Sequence, residues 1–472
     1  MEKQQKQDVD SRVSDYHSLD VTAIFIDIED STGIANHYRS DDYRLFLSQY
    51  HAIVSTVLED KQWDPIKHPV YHNFFGDEFM AFLVHSSYEN QSVSKALELA
   101  TKLKLAWYIS KENKERLDSD KEVIEVNVGV NYGAVFSMTY PLISGTAQVR
   151  ESTLEGFPIT IAKRAQSVCE HSRASRIILA DAAYRQYVAE TRCPHEFDYL
   201  GRQSLKGLAQ SMSCYEWLGG DYDHFKHYFP PGDIESTLEK LYYKNPLNPW
   251  YALLLAYYYY KIAEEKWYES DGREVSPFYN KAGAICLKAI QSITGVRLRQ
   301  LSSLLLTCLE IQGRWDELRH RAEQAFGADP TFAQASALNA WAAFRFGLTS
   351  EDKVKDAAIK DAATRAIQTA VLFERGEGDE GDLGDEVKEA LYRAHVVLAH
   401  EHSESKRRDE ALAELQKAIN YAVKAKLDWS ETELKKLKEE GAFKHMREAD
   451  WKNVIGDLEE EVQEMRKRKS EK

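Results

Sequence analysis

The chain has 472 residues, 43% of them hydrophobic and 29% charged, a globular balance with room for two to four domains. Its net charge of −15 argues against broad binding to nucleic acid or to anionic membranes, since both need a basic face that releases counterions. The 5 cysteines are scattered without Cys-x-x-Cys spacing, which indicates neither a disulfide framework nor a cysteine-based zinc site. The N-terminus, MEKQQKQDVDSR, is polar with no signal-peptide core, and no apolar run is long enough for a bilayer. A soluble cytoplasmic protein is expected.

After a polar segment at 1–17, short apolar runs alternate with amphipathic stretches up to about residue 218. VTAIFIDI, PVYHNFFGDEFMAFLV, EVIEVNVGVNYG, SRIILA and SMSCYEWL read as strands, and residues 41–60, 92–111 and 157–171 read as helices. Strands interleaved with helices predict one α/β or α+β domain around a single sheet over 18–218. A Gly- and Pro-rich stretch at 219–233 reads as a linker, and 234–472 carries only helical patterns. In that second half, Gly313, Trp315, Ala322, Ala325 and Pro330 are spaced much as in a tetratricopeptide helix pair, and Ala411, Ala418 and Ala422 repeat the alanine spacing. The acidic stretch GEGDEGDLGDE (376–386) lacks EF-hand spacing and reads as a solvated loop.

The chemistry concentrates in FIDIEDST and NFFGDEFMAFL. Asp27 sits late in an apolar strand, where a carboxylate is costly without a partner. Asp77 follows Gly76 between two apolar runs, the position of a hairpin turn. If the two strands are neighbours, the carboxylates converge at one sheet edge. Such a pair, with no His or Cys beside it, suits hard divalent ions, Mg²⁺ or Mn²⁺. His51 and His72 have no partner at metal-ligand spacing and read as ordinary surface or core histidines.

With these residues in view, 18–218 resembles the catalytic domain of class III nucleotide cyclases. FIDIEDST, FFGDEF, VNVGVNYGAVF with Gly129, Gly133 and Val135, GFPITIAKRAQSV, and FDYLGRQSLKGLAQSMSCYEWL match five family segments in order. The resemblance implies a ferredoxin-like βαββαβ core. It implies that Asp27, Asp77 and the backbone carbonyl of Ile28 hold two metal ions, that Arg164 stabilises the transition state, and that Lys206 meets the terminal phosphates. It also implies a head-to-tail homodimer, because the family draws its metals and its arginine from opposite chains. The reaction implied turns a nucleoside triphosphate into a 3′,5′-cyclic monophosphate and pyrophosphate.

The departures lie around the nucleoside. Asn73, Thr153 and Thr160 stand where purine cyclases carry a base-reading lysine, an acidic or similar polar residue, and a ribose-placing asparagine. Tyr50 is a further candidate for base contact. An amide offers both donor and acceptor, which fits the edge of uracil or cytosine. The pattern resembles the pyrimidine cyclases of the Pycsar anti-phage systems, with UTP favoured and CTP open. An adenylate or guanylate cyclase with an altered pocket, or a degenerate cyclase fold serving as a nucleotide-binding scaffold, are the other readings. The helical half is expected to bind a peptide or protein or to support the dimer.

Overall fold

In VTAIFIDI every residue before Asp27 is apolar or small, with no polar face, so the strand it forms has to be covered on both sides. In the computed structural model that strand is β1 (Ser14–Ile28), and its residues from Val21 to Ile26 are almost fully buried. The structure describes residues 14–59, 70–144, 147–191, 196–219, 231–270, 276–294, 298–349, 356–370, 385–425, 427, 430–440, 442–443 and 445–470.

β1 is followed by α1 (Ser31–His37), α2 (Ser40–Leu58), β2 (Val70–Phe75), β3 (Glu78–Val84), α3 (Ser92–Tyr108), α4 (Lys111–Asp118) and β4 (Val126–Ser144). Then come β5 (Ala147–Glu155), α5 (Phe157–Gln166), β6 (Ile177–Ala180), α6 (Asp181–Thr191), β7 (Phe197–Gln203) and β8 (Met212–Trp217). The sheet order is β2-β3-β1-β4-β6-β8-β7, with β5 paired to β4 off this path. β1 runs antiparallel to both β3 and β4, and β2 antiparallel to β3. With helices between β1 and β2 and between β3 and β4, this is the expected βαββαβ core. The parallel pairing of β4 with β6 then extends it into a mixed sheet.

Alternate residues of β1 face opposite sides of the sheet. Thr22 bonds Ser92 at the start of α3 through its hydroxyl, 2.7 Å away. Ala23 and Phe25 pack with Phe82 and Ala162, the latter on α5. So α3 and α5 cover opposite faces, and the continuous apolar run follows from that.

The chain divides into two compact units, the first running to Tyr258 and taking Ser292–Arg297 as well, the second taking Tyr259–Gln291 and Leu298–Lys472. The first therefore includes α7 (Pro231–Lys244) and the opening turns of α8 (Pro249–Ser270), which sequence patterning groups with the helices that follow. Lys240 and Lys244 of α7 reach Asp118 and Asp120, and Asn248 donates to the Ala174 carbonyl at 3.1 Å. Tyr251 of α8 donates its hydroxyl to Glu125, just before β4. The same carboxylate accepts Lys104 Nζ at 2.9 Å and the Tyr108 hydroxyl at 2.8 Å. Most of the expected linker, residues 220–230, lies outside the described residues, as do residues 1–13.

The second unit is helical throughout its described residues: α9 (Ser276–Ser292), α10 (Arg299–Ile311), α11 (Trp315–Ala328), α12 (Ala333–Thr349), α13 (Asp356–Thr369), α14 (Asp385–Glu404), α15 (Arg408–Lys424), α16 (Ser430–Glu439) and α17 (Glu448–Ser470). α11 packs on α12, α12 on α13, and α14 on α15. Gly313, at φ +65°, turns the chain between α10 and α11. Ala322, Ala411, Ala418 and Ala422 are fully buried, consistent with small residues at close helix approaches. The acidic stretch at 376–384 lies outside the described residues. No described helix is long and apolar enough to cross a membrane.

Candidate active site

Gly76 and Asp77 form a two-residue turn between β2 and β3, with Phe75 opposite Glu78. Gly76 has φ +67° and a Cβ there would touch nothing, so the backbone conformation alone calls for glycine. Positive φ at the first central position is the demand of a type II′ turn. His51 of α2 bonds the Gly76 carbonyl with Nε2 at 2.8 Å, which clasps the turn from the side. Because β3 pairs with β1, the turn comes to the end of β1 that carries Asp27.

Asp77 lies within hydrogen-bonding reach of Asp27. Burial, and after it Asp77, pushes the Asp27 carboxyl from its ordinary 3.8 up to about 7, while Gln166 pulls the other way. Tyr50 of α2 is 2% exposed and sets its ring edge-on to Trp107. Its hydroxyl is buried with no hydrogen-bond partner. Burial pushes that phenol well above its ordinary value, and Asp27, Asp77 and Glu78 push it further. Tyr43, also on α2, is raised by burial and by the same two aspartates.

The helix over this corner is α5. Gly129 of β4 lets it come close: a Cβ there would stand 2.1 Å from the Ala162 carbonyl oxygen and 2.3 Å from the Gln166 nitrogen. Gln166 Nε2 donates to Asp27 Oδ2 at 3.0 Å, and Lys163 Nζ donates to Glu78 Oε2 at 2.7 Å. Asn131, on the same face of β4 as Gly129, donates to the Pro158 carbonyl at 3.2 Å. Thr160 and Arg164 are four apart and share one side of α5. Thr160 is exposed, and Arg164 is half-buried with its Nε lacking a partner.

The structure therefore brings Asp27 and Asp77 together with Tyr50 close by, and Ile28 follows Asp27 on β1. Asn73 is exposed on β2, an edge strand, and its Oδ1 accepts the Phe74 amide at 2.8 Å. Thr153 lies on β5 opposite Met138, and its side chain falls outside the described residues. Ile28 is buried and pairs with Val126. Lys206 is exposed in the turn between β7 and β8, at the sheet edge opposite to Asp77. Gln166, Lys163 and Tyr43 were missed by sequence reasoning. Gln166 stands two residues after Arg164, but only the crossing of α5 over β4 aims it at Asp27.

Two carboxylates this close repel each other, and a cation between them removes that cost. Among the described residues no cluster of three or more His, Cys, Asp or Glu forms a closed metal cage. A pair of carboxylates completed by backbone oxygen and substrate phosphates is the donor set Mg²⁺ takes, so the residues fit that ion or Mn²⁺.

Residues 13–219 match the family model of the adenylate and guanylate cyclase catalytic domain. Among solved structures, the adenylyl cyclase CyaB from P. aeruginosa is 14% identical over 44% of this chain and 99% of that one, with a TM-score of 0.35. The guanylyl cyclase Cya2 is 13% identical over 45% of this chain and 97% of its own, with a TM-score of 0.34. An adenylate cyclase from Trypanosoma brucei is 19% identical over 42% and 89%, with a TM-score of 0.30. No curated protein matches the chain.

Proposed function

We propose, from the match of residues 13–219 to the adenylate and guanylate cyclase catalytic domain model, that the protein is a class III nucleotide cyclase that converts a pyrimidine nucleoside triphosphate, UTP ahead of CTP, to its 3′,5′-cyclic monophosphate and pyrophosphate. The observation that carries the reading is the meeting of Asp27 and Asp77 at one corner of the sheet, where Asp27 is pushed up to about 7 by burial and by its neighbour.

Asp27, Asp77 and the Ile28 carbonyl would hold two Mg²⁺ or Mn²⁺ ions. When bound, such ions lower the pKa of an attacking hydroxyl and neutralise a leaving pyrophosphate. The chain's own part is to hold the carboxylates and to present the remaining groups. Arg164, fixed on α5 with an unpartnered Nε, is suited to take up charge that develops on the α-phosphate. Lys206 supplies a point charge for the terminal phosphates.

Where these groups stand supports a homodimer. Between the strands of the Asp77 hairpin and those of the Lys206 hairpin lie β1, β4 and β6, so one copy sets the facing strands of the two hairpins, β3 and β8, roughly 20 Å apart at ~4.8 Å per strand. Thr160 is exposed and Arg164 half-buried on the same side of α5. A second copy, related head to tail, supplies the arginine and the lysine to the first copy's carboxylates.

For base choice the support is Asn73. Its Oδ1 is engaged by the Phe74 amide, which leaves its two N–H donors for carbonyl acceptors such as those of uracil. Thr160, exposed on α5, is assigned to the nucleoside pocket together with Thr153 and Tyr50. We assign the product a signalling role in anti-phage defence in the cytoplasm. The helical unit, read as a tetratricopeptide-like array on its buried alanines, serves as the platform for a peptide or protein ligand.

The test is product identification from the purified full-length protein with Mn²⁺ and each of the four ribonucleoside triphosphates. Cyclic UMP as the main product supports the reading, and cyclic CMP moves it to the other pyrimidine. Cyclic AMP or cyclic GMP overturns the base assignment. Tight binding with no cyclic product replaces the enzyme by a nucleotide-binding scaffold.

A further inference from the structure

Helix α5 is tied to its own carboxylate corner at two points. Lys163 pairs with Glu78, the residue after Asp77, and Gln166 donates directly to Asp27. The two ties differ in setting: the Lys163 side chain is 49% exposed, whereas Gln166 is 9% exposed. Gln166 owes its depth to Gly129, since any side chain there would collide with the backbone of α5 at Ala162 and Gln166.

We infer that Gln166 is a positioning residue: its amide fixes the orientation of the Asp27 carboxylate so that the opposite oxygen stays available to a divalent cation. The inference rests on the cyclase reading above and adds a residue to it. A carboxylate has about four lone-pair sites on its two oxygens. One amide donor on Oδ2 leaves the rest of them open. Without that donor, repulsion from Asp77 turns Asp27 away from the corner, and a cation must first bring it back. Outer partners of metal-binding carboxylates contribute in this manner, and their loss commonly costs about 10- to 100-fold in metal affinity. α5 also carries Arg164 two residues earlier, so the same last turn of helix sets the cation corner and the half-buried guanidinium.

The experiment measures Mn²⁺ binding to the full-length protein without nucleotide, by electron paramagnetic resonance of the free ion. Gln166→Leu keeps the volume and removes the donor. It should weaken Mn²⁺ binding by about 10-fold or more with an unchanged melting temperature, and saturating Mn²⁺ should restore most of its turnover. Lys163→Met loosens the same helix without touching Asp27 and should bind Mn²⁺ like the unaltered protein. If Gln166→Leu also binds like the unaltered protein, or if both variants weaken equally, the positioning role is overturned and the cyclase reading stands. If Gln166→Leu alone weakens but no triphosphate is cyclised, the positioning role stands and the cyclase reading falls. If the unaltered protein does not bind Mn²⁺, both fall.

Discussion

Asp27 and Glu125 lie at the same end of neighbouring strands, and the backbone joins them: the Glu29 amide donates to the Glu125 carbonyl at 2.9 Å. Their carboxylates have opposite settings. Burial pushes both up, but Glu125 ends below its ordinary value because Lys104, and then the Tyr251 and Tyr108 hydroxyls, stabilise its charge. Asp27 has an acidic neighbour and ends at about 7. The same sheet thus holds one carboxylate whose charge is matched within the chain and one whose charge is not. Matching marks a structural joint, and mismatch marks a place prepared for something from outside the chain.

Removing a carboxylate on the mismatched side should cost function and not stability. Asp27→Ala and Asp77→Ala are each expected to bring cyclic product below detection while the melting temperature holds or rises, as like-charge repulsion is relieved. A variant with normal turnover in Mg²⁺ would end the assignment. On the matched side the expectation reverses. Glu125→Ala leaves Lys104 buried without a counter-charge and should cost about 3–5 kcal/mol of unfolding free energy. Urea titration monitored by Trp fluorescence would measure it, and a loss under 1 kcal/mol would dissolve the contrast.

The smallest expected effect separates the two carboxylates by pH. With chelator present, the fold favours neutral Asp27. Its stabilising contribution is full below the ordinary carboxylate value of 3.8 and is lost as pH rises through about 7. The melting temperature should therefore fall across that range and recover on adding Mg²⁺. Asp27→Asn should flatten the profile; a wild-type profile already flat would remove the asymmetry.

Much of this was legible from the sequence. The unbroken apolar run before Asp27 and the Gly-Asp pair between apolar runs were enough to place both carboxylates, because each depends on neighbours within a few residues. β5 and β7 were not anticipated, since AQVREST and FDYLGRQ lack a clear apolar alternation. Gln166 was invisible for a different reason: its partner Asp27 is 139 residues away and is reached only through the crossing of α5 over Gly129. Nothing in EVIEVNV marks Glu125 as buried. Its partners come from 21 residues before it and 126 after, which no local pattern records. The helical elements were readable from periodicity, but the extent of the first compact unit was not, because Asn248 and Tyr251 look like ordinary helix residues until their partners are known.

The grip of Tyr251 on Glu125 has a practical corollary for anyone dissecting the chain. The family match stops at 219, yet the hydroxyl that completes the Glu125 network arrives 32 positions later, along with the fully buried Trp250 indole. A fragment ended at the family boundary would uncover an indole-sized hollow and strand a lysine–glutamate pair at the strand ends that carry Asp27. Loss of catalysis in such a fragment would report a damaged floor, not a missing regulator, and the informative place to cut lies beyond Tyr258.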